Sequence, residues 1–202
     1  MNLPSDVSKI IHILESNGHE AYAVGGCVRD CILGRIPSDW DITTSAKPIE
    51  VKRLFQRTFD TGIEHGTVTV LMGNVGYEVT TYRLDGKYED GRHPSQVTFT
   101  ASLEEDLKRR DFTINAMAYN HTKGLVDLFG GKSDLDAGLV RAVGDPVERF
   151  TEDALRMLRA LRFSAQLNFA IEVDTFNAIG KLAPTLNNIS AERVQVELVK
   201  LI

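Results

Sequence analysis

Up to about Pro146 the apolar residues fall in short runs and alternations, and beyond it they recur at helical spacing. The pattern predicts an amphipathic helix from Pro4-Ser5 through about Glu15 and strands at Ala21 to Val24, Asp39 to Thr43, Thr67 to Met72 and Tyr77 to Arg83. Gly73-Asn74 between the last two signals a hairpin turn. Helices are expected at Ile49 to Phe55 and Leu103 to Arg109. After Pro146 the expected helices are Glu152 to Gln166, Val173 to Leu182 and Ala191 to Ile202, with no convincing strand. Together these describe an α+β head over 1–145 followed by an all-helical segment over 146–202. Asp85 to Gln96 is polar, carries Gly86, Gly91 and Pro94, and is long enough to act as a moving lid.

Three constellations carry chemistry. In the first, Ala21 to Val24 leads into Gly25-Gly26, where the backbone can turn sharply and bring amide N–H groups to an anion, and Arg29 adds a fixed positive fork. Asp39 and Asp41 follow; in an extended segment they project to one face, and two converging carboxylates make a poor core and a good magnesium site. The second is Lys108-Arg109-Arg110-Asp111 with Asn115, a mixture of donors and acceptors suited to a triphosphate and a ribose hydroxyl. In the third, helical spacing puts Asp153, Arg156, Arg159 and Arg162 along one broad face, apart from an apolar stripe of Leu155, Leu158 and Leu161. An isolated Gly-Gly turn, Asp-x-Asp or Asp-Arg pair is more often structural. The order of all three and the recurrence of arginine argue otherwise.

Composition narrows the class. With 202 residues, 43% hydrophobic and 25% charged, the chain can bury a real core as one or two domains. No apolar run reaches about eighteen residues and the amino terminus is too polar for a signal peptide, so a cytoplasmic protein without membrane contact is expected. A net charge of −5 excludes a uniformly basic coat, so any nucleic-acid contact is local. Cys27 and Cys31, without further Cys or His neighbours, are expected to be reduced packing thiols.

Gly25-Gly26-x-Val28-Arg29-Asp30, Asp39-x-Asp41, Arg109-Arg110-Asp111-x-x-x-Asn115-Ala116 and Glu152-Asp153-x-x-Arg156-x-x-Arg159-Ala160-x-Arg162-Phe163 resemble, in order, the head and neck motifs of the class II tRNA nucleotidyltransferases, the bacterial CCA-adding enzymes. The resemblance implies a polymerase-β-like head with a mixed sheet and a helical neck, adding C, C and A to the 3′ end of tRNA from CTP and ATP. It implies that Asp39 and Asp41 hold Mg2+, with Glu78 a weaker third carboxylate. Gly26, Arg29 and Arg110 would contact the nucleotide's phosphates and ribose. Asp153 and Arg156 would read the base, since cytosine and adenine both offer an exocyclic amine beside a ring-nitrogen acceptor. Arg159 and Arg162 would support the triphosphate or orient that pair.

In the family it resembles, a shortened loop in this region marks CC-only addition, so the complete Asp85 to Arg92 loop implies full CCA addition and leaves A-only addition and poly(A) synthesis open. The family continues into a longer helical body and tail, whereas this sequence ends at Lys200-Leu201-Ile202 inside a predicted helix. A catalytic portion and a nucleotide-binding module that does not hold tRNA productively are the two readings of that difference.

Overall fold

The computed structural model describes residues 1–86 and 97–201. The proposed lid, Asp85 to Gln96, and with it the loop bearing on CC-only addition, therefore lies almost wholly outside the described residues.

The sheet is built outward from a strand buried on both faces. Helix α1 (Ser5–Ser16) buries Val7, Ile10, Ile11 and Leu14 at helical spacing and leads to β1 (Ala21–Val24). Alternation in β1 sends Ala21 and Ala23 to the main core and Tyr22 and Val24 to a second cluster on the opposite face. Helix α2 (Gly26–Ile32) begins directly after Gly25. Then come β2 (Asp41–Thr44), α3 (Pro48–Leu54), β3 (Thr58–Gly62), β4 (Thr67–Met72) and β5 (Val75–Thr81). Gly73, at φ +62°, closes the β4–β5 hairpin, with Met72 opposite Val75. A small antiparallel pair, β6 (Arg83–Asp85) with β7 (Val97–Phe99), precedes α4 (Leu103–Lys108). Strands β8 (Met117–Asn120) and β9 (Gly124–Asp127) and helix α5 (Gly131–Ala137) follow.

The main sheet runs β3-β4-β5-β2-β1-β8-β9. It is mixed: β2 and β5 are parallel and the other pairs antiparallel. The parallel pair sets Asp41 directly beside Glu78. On one face Val7, Ile10 and Leu14 of α1 and Val51 of α3 belong to the core that also holds Ile42, Val68, Val70 and Val79; on the other, Leu107 of α4 joins Tyr22, Val24 and Tyr82.

After β10 (Leu139–Val140) come α6 (Pro146–Glu152), α7 (Leu155–Leu167), β11 (Ala170–Ile171), α8 (Val173–Leu182) and α9 (Ala191–Val199). The segment differs from expectation: α6 was not foreseen, and α9 ends at Val199. The helix expected over Glu152 to Gln166 is broken, because Asp153 adopts extended angles (φ −145°, ψ 103°) and its carboxylate accepts the Leu155 N–H at 3.0 Å. An aspartate that bonds the backbone just ahead competes with helix continuity, so it ends α6 and starts α7. The segment after Pro146 also contains one strand, β11, paired in parallel with β10. The main core continues through Phe150, Met157, Ala160, Phe163, Leu167 and Ala178, with no break near 145.

Gly131 shows how closely α5 is packed. A Cβ there would collide with the Thr113 carbonyl oxygen and the Met117 side chain. Gly131→Ala is expected to cost about 1–3 kcal/mol, read as a lower urea midpoint with an unchanged slope.

Candidate active site

Gly25 occupies φ +82°, a conformation that favours glycine, and a Cβ there would lie 3.1 Å from Arg110 Nη1. The bare backbone thus lets the Arg110 guanidinium lie against the β1–α2 turn. The two border a cavity of about 300 Å³ whose walls include Gly26, Arg29, Asp39, Asp41, Arg110, Asp111, Asn115, Arg159 and Arg162. Seven of the nine residues singled out for the site therefore meet around one space: Gly26, Arg29, Asp39, Asp41, Arg110, Arg159 and Arg162. Asp153 and Arg156 do not line it.

Asp39 precedes β2 and accepts from Ser38 Oγ at 2.9 Å; Asp41 is the first residue of the strand. The expected extended run from Asp39 thus begins two residues later, yet both carboxylates still reach the cavity. Burial raises the Asp41 pKa and Asp39 adds to the rise, against the pull of Arg110. Glu78 is raised by burial, then by Asp41 and Asp39. Asp41 and Glu78 are therefore both ionised reluctantly. Among the described residues, no group of three or more His, Cys, Asp or Glu is arranged to hold a metal. Cys27 is buried, its Sγ donates to the Val24 carbonyl at 3.4 Å, and burial pushes its thiol up to about 11; both cysteines are free.

The cations opposite are held by carboxylates of a different kind. Asp111 accepts from Arg159 Nε at 2.8 Å, from the Phe112 N–H at 2.8 Å and from Asn115 Nδ2 at 3.2 Å, and Asn115 Oδ1 accepts from Arg29 at 2.7 Å. Burial opposes its ionisation, but Arg159, Asn115 and Arg156 outweigh burial and hold its pKa below the ordinary value. Asp106 is fully buried, accepts from Arg109 at 2.7 Å, Arg110 at 3.4 Å and the Thr43 hydroxyl at 3.0 Å, and is likewise held low despite burial. Thr43 lies on the same side of β2 as Asp41, so Asp106 ties Arg110 to the strand that carries the acidic pair. The Phe163 ring adds an apolar floor, with the guanidinium carbons of Arg162, Arg29 and Arg159 at 4.2, 5.1 and 5.4 Å from its centroid.

Helix α9 fastens the third constellation. Glu197 accepts from Arg162 at 2.6 Å and faces Arg159 at 3.7 Å, and Arg193 donates to Asp153 at 2.8 Å. Arg156 donates to the Arg149 carbonyl at 3.0 Å, to Glu152 at 2.6 Å and to the Arg109 carbonyl at 3.2 Å. The common helical face expected for Asp153, Arg156, Arg159 and Arg162 is thus divided, with Asp153 outside the helix. The sequence reading passed over Asp106, Arg193 and Glu197. The three- and four-residue spacing of Asp106 to Arg109 and Arg110 was a visible signal for the first.

The chain has an α+β nucleotidyltransferase fold. The Poly A polymerase head domain model matches residues 21–141, and the chain belongs to that family. A second model, described as a probable RNA and SrmB-binding site of polymerase A, matches 168–202. A CCA-adding enzyme of Leuconostoc mesenteroides is 58% identical over 98% of this chain and 49% of its own length. The crystal structure of the Bacillus stearothermophilus CCA-adding enzyme in complex with CTP superposes with a TM-score of 0.92 at 46% identity, covering 100% of this chain and 49% of that one. The Thermotoga maritima CCA-adding enzyme complexed with tRNA gives 0.81 at 27% identity, over 98% and 48%. The chain spans about half the length of the curated relatives it matches. No helix among the described residues is long and apolar enough to cross a membrane.

The two kinds of carboxylate predict opposite responses to substitution. The folded pKa of Asp41 lies above its ordinary 3.8, so the fold favours its protonated form. That preference is fully expressed below pH 3.8 and is lost as the pH rises through the folded value. Asp41→Asn should therefore raise the thermal midpoint at pH 7, with the gain vanishing near pH 3. For Asp111 the sign reverses: its contribution is present above 3.8 and lost as the pH falls through its lower folded value, so Asp111→Asn should destabilise at pH 7.

Proposed function

We propose that this chain forms the head (1–145) and neck (146–202) of a CCA-adding enzyme, transferring C, C and A from CTP and ATP to the 3′ end of a tRNA in the cytoplasm. The observation that carries the reading is the cavity itself, with Asp39 and Asp41 on one side and Arg29, Arg110, Arg159 and Arg162 around the rest. A triphosphate needs such cations, and an attacking hydroxyl needs the acids. The names of the relatives point the same way.

In this account Arg29, Arg110 and the Gly26 backbone bind the phosphate chain, while Arg159 and Arg162 flank it from α7. The tRNA 3′ oxygen bonds to the α-phosphorus, the bond to the β-phosphate oxygen breaks, pyrophosphate leaves, and the hydroxyl proton passes to water at the open mouth. Asp39 and Asp41 would hold the divalent cation, Mg2+. An all-oxygen donor set with two carboxylates fits that ion, which characteristically takes one or two carboxylates together with substrate phosphates. When bound it supplies charge neutralisation at the reacting phosphate.

Asp153 and Arg156 remain the proposed readers of cytosine and adenine. Their partners define what reading requires: Arg156 must exchange a carbonyl contact, to Arg149 or Arg109, for the base. Asp153 must accept from the amine while keeping Leu155 and Arg193. Asp153→Ala would also remove the start of α7 and an ion pair, at about 1–2 kcal/mol, so the conservative Asp153→Asn is the better probe.

Incubation with a tRNA lacking its CCA end, with each nucleotide alone and combined, and separation on a sequencing gel test the reading. The expected products are +C, +CC and then +CCA; A-only addition or a long A ladder would overturn it in favour of the other members of the family. Asp41→Asn should reduce transfer about 10³-fold, a loss of several kcal/mol. Asp153→Asn should cut the preference for CTP over UTP at least about tenfold.

A further inference from the structure

Phe163 ends the motif that carries Arg156, Arg159 and Arg162, and the account above gives it no part in the transfer. It borders the nucleotide cavity, is only 6% exposed, and has the guanidinium carbons of Arg162, Arg29 and Arg159 over its ring, all within 5.4 Å of the centroid. Three cations gathered around one point repel one another. Arg29 and Arg162 are only 9% and 8% exposed, so little water screens that repulsion. Filling space in the core does not by itself account for such a gathering.

Each of the three cations already has a carboxylate at its edge. Arg29 pairs with Asp30 at 2.8 Å, Arg159 with Asp111 at 2.6 Å and Arg162 with Glu197 at 2.6 Å. A carboxylate grips a guanidinium by its N–H groups and leaves the flat face of the ion unattended. Phe163 is the surface that all three share. Arg159 stands four residues before it on α7, so the two side chains are neighbours on the helix, while Arg29 arrives from α2. The ring itself is held in a T-shaped contact with Phe112, with centroids 5.8 Å apart and planes at 82°.

Cations that must first be assembled against their own repulsion bind an anion more weakly than cations already in place. An aromatic face suits that task, because it is negative without a lone pair or a titratable proton and leaves the remaining N–H groups for a ligand. A further carboxylate at this position would compete with phosphate, and an aliphatic side chain would pack without attracting a cation. We propose that Phe163 is a positioning residue for the triphosphate: its ring holds Arg29, Arg159 and Arg162 as a preassembled array, and so acts on the phosphates and not on the base. The assignment rests on the transfer reading given above.

Fluorine on the ring withdraws charge from its face while nearly preserving its size and apolar character, so attraction for cations is separated from packing. Phe163 is replaced by phenylalanines carrying one, two or three ring fluorines, and the binding of inorganic tripolyphosphate, CTP and ATP, each with Mg2+, is followed by calorimetry. Affinity for all three ligands should fall stepwise along the series, about tenfold at three fluorines, with the ratio of CTP to ATP affinity unchanged. A residue that only fills the core would show no such slope. Affinities that stay level or rise across the series, or that fall for one nucleotide alone, would overturn the proposal and leave the transfer reading in place. Failure of the unmodified chain to bind both tripolyphosphate and CTP would instead remove the transfer reading, and the proposal with it.

Discussion

The buried carboxylate of Asp111 ties its own segment, 111–115, to α7 and, through Asn115, to α2. It accepts from Arg159 on α7, from Asn115 in the turn before β8, and from the backbone of its own neighbour Phe112. Through Asn115 it also fixes Arg29 on α2. A charge taken out of water at that depth is tolerable only when it is fully paired, and removing one partner would leave the others exposed to the same penalty. The positions of Arg29 and Arg159 around the cavity therefore depend on one another, because both are referred to a single acid.

The acids of this site divide by how the protein treats their charge. Asp106 and Asp111 are ionised easily because arginines surround them, and they spend that charge on orienting the same arginines. Asp41 and Glu78 are ionised reluctantly, because burial and mutual repulsion oppose them. A fold gains nothing from the second arrangement unless something cationic arrives. That contrast separates acids paired with arginines from acids set beside one another, and it is invisible to a count of Asp residues.

Much of the fold was legible because the elements carry their own signals. The β4–β5 hairpin announced itself through Gly73-Asn74, and α1, α3 and α4 through spacing and caps. Strand β3 escaped notice since Thr58 to Gly62 is largely exposed and shows no alternation, and β8 because a short strand buried on both faces reads as a featureless apolar run. Helix α7 was extended too far, as Asp153 is a helix-compatible residue until its side chain is seen bonded to Leu155. At the site, local motifs identified seven cavity residues. Asp106, Arg193 and Glu197 were missed because each acts through a partner, and an acid inside a charged helix such as Glu104 to Arg109 looks like a solvated face.

The unbroken core has a consequence for how bases could be told apart. Met157, Ala160 and Phe163 of α7 are packed into the same apolar cluster as Ile10, Ile42 and Val79, and β10–β11 stitches the chain on either side of α6 together. A helix rooted in this way cannot swing as a rigid body without opening the interior beneath the sheet. In the proposed reading, adjustment between a pyrimidine and a purine would fall to rotations of its long side chains, which would make arginine, with its many rotamers and planar head, the moving part of an otherwise stationary gauge.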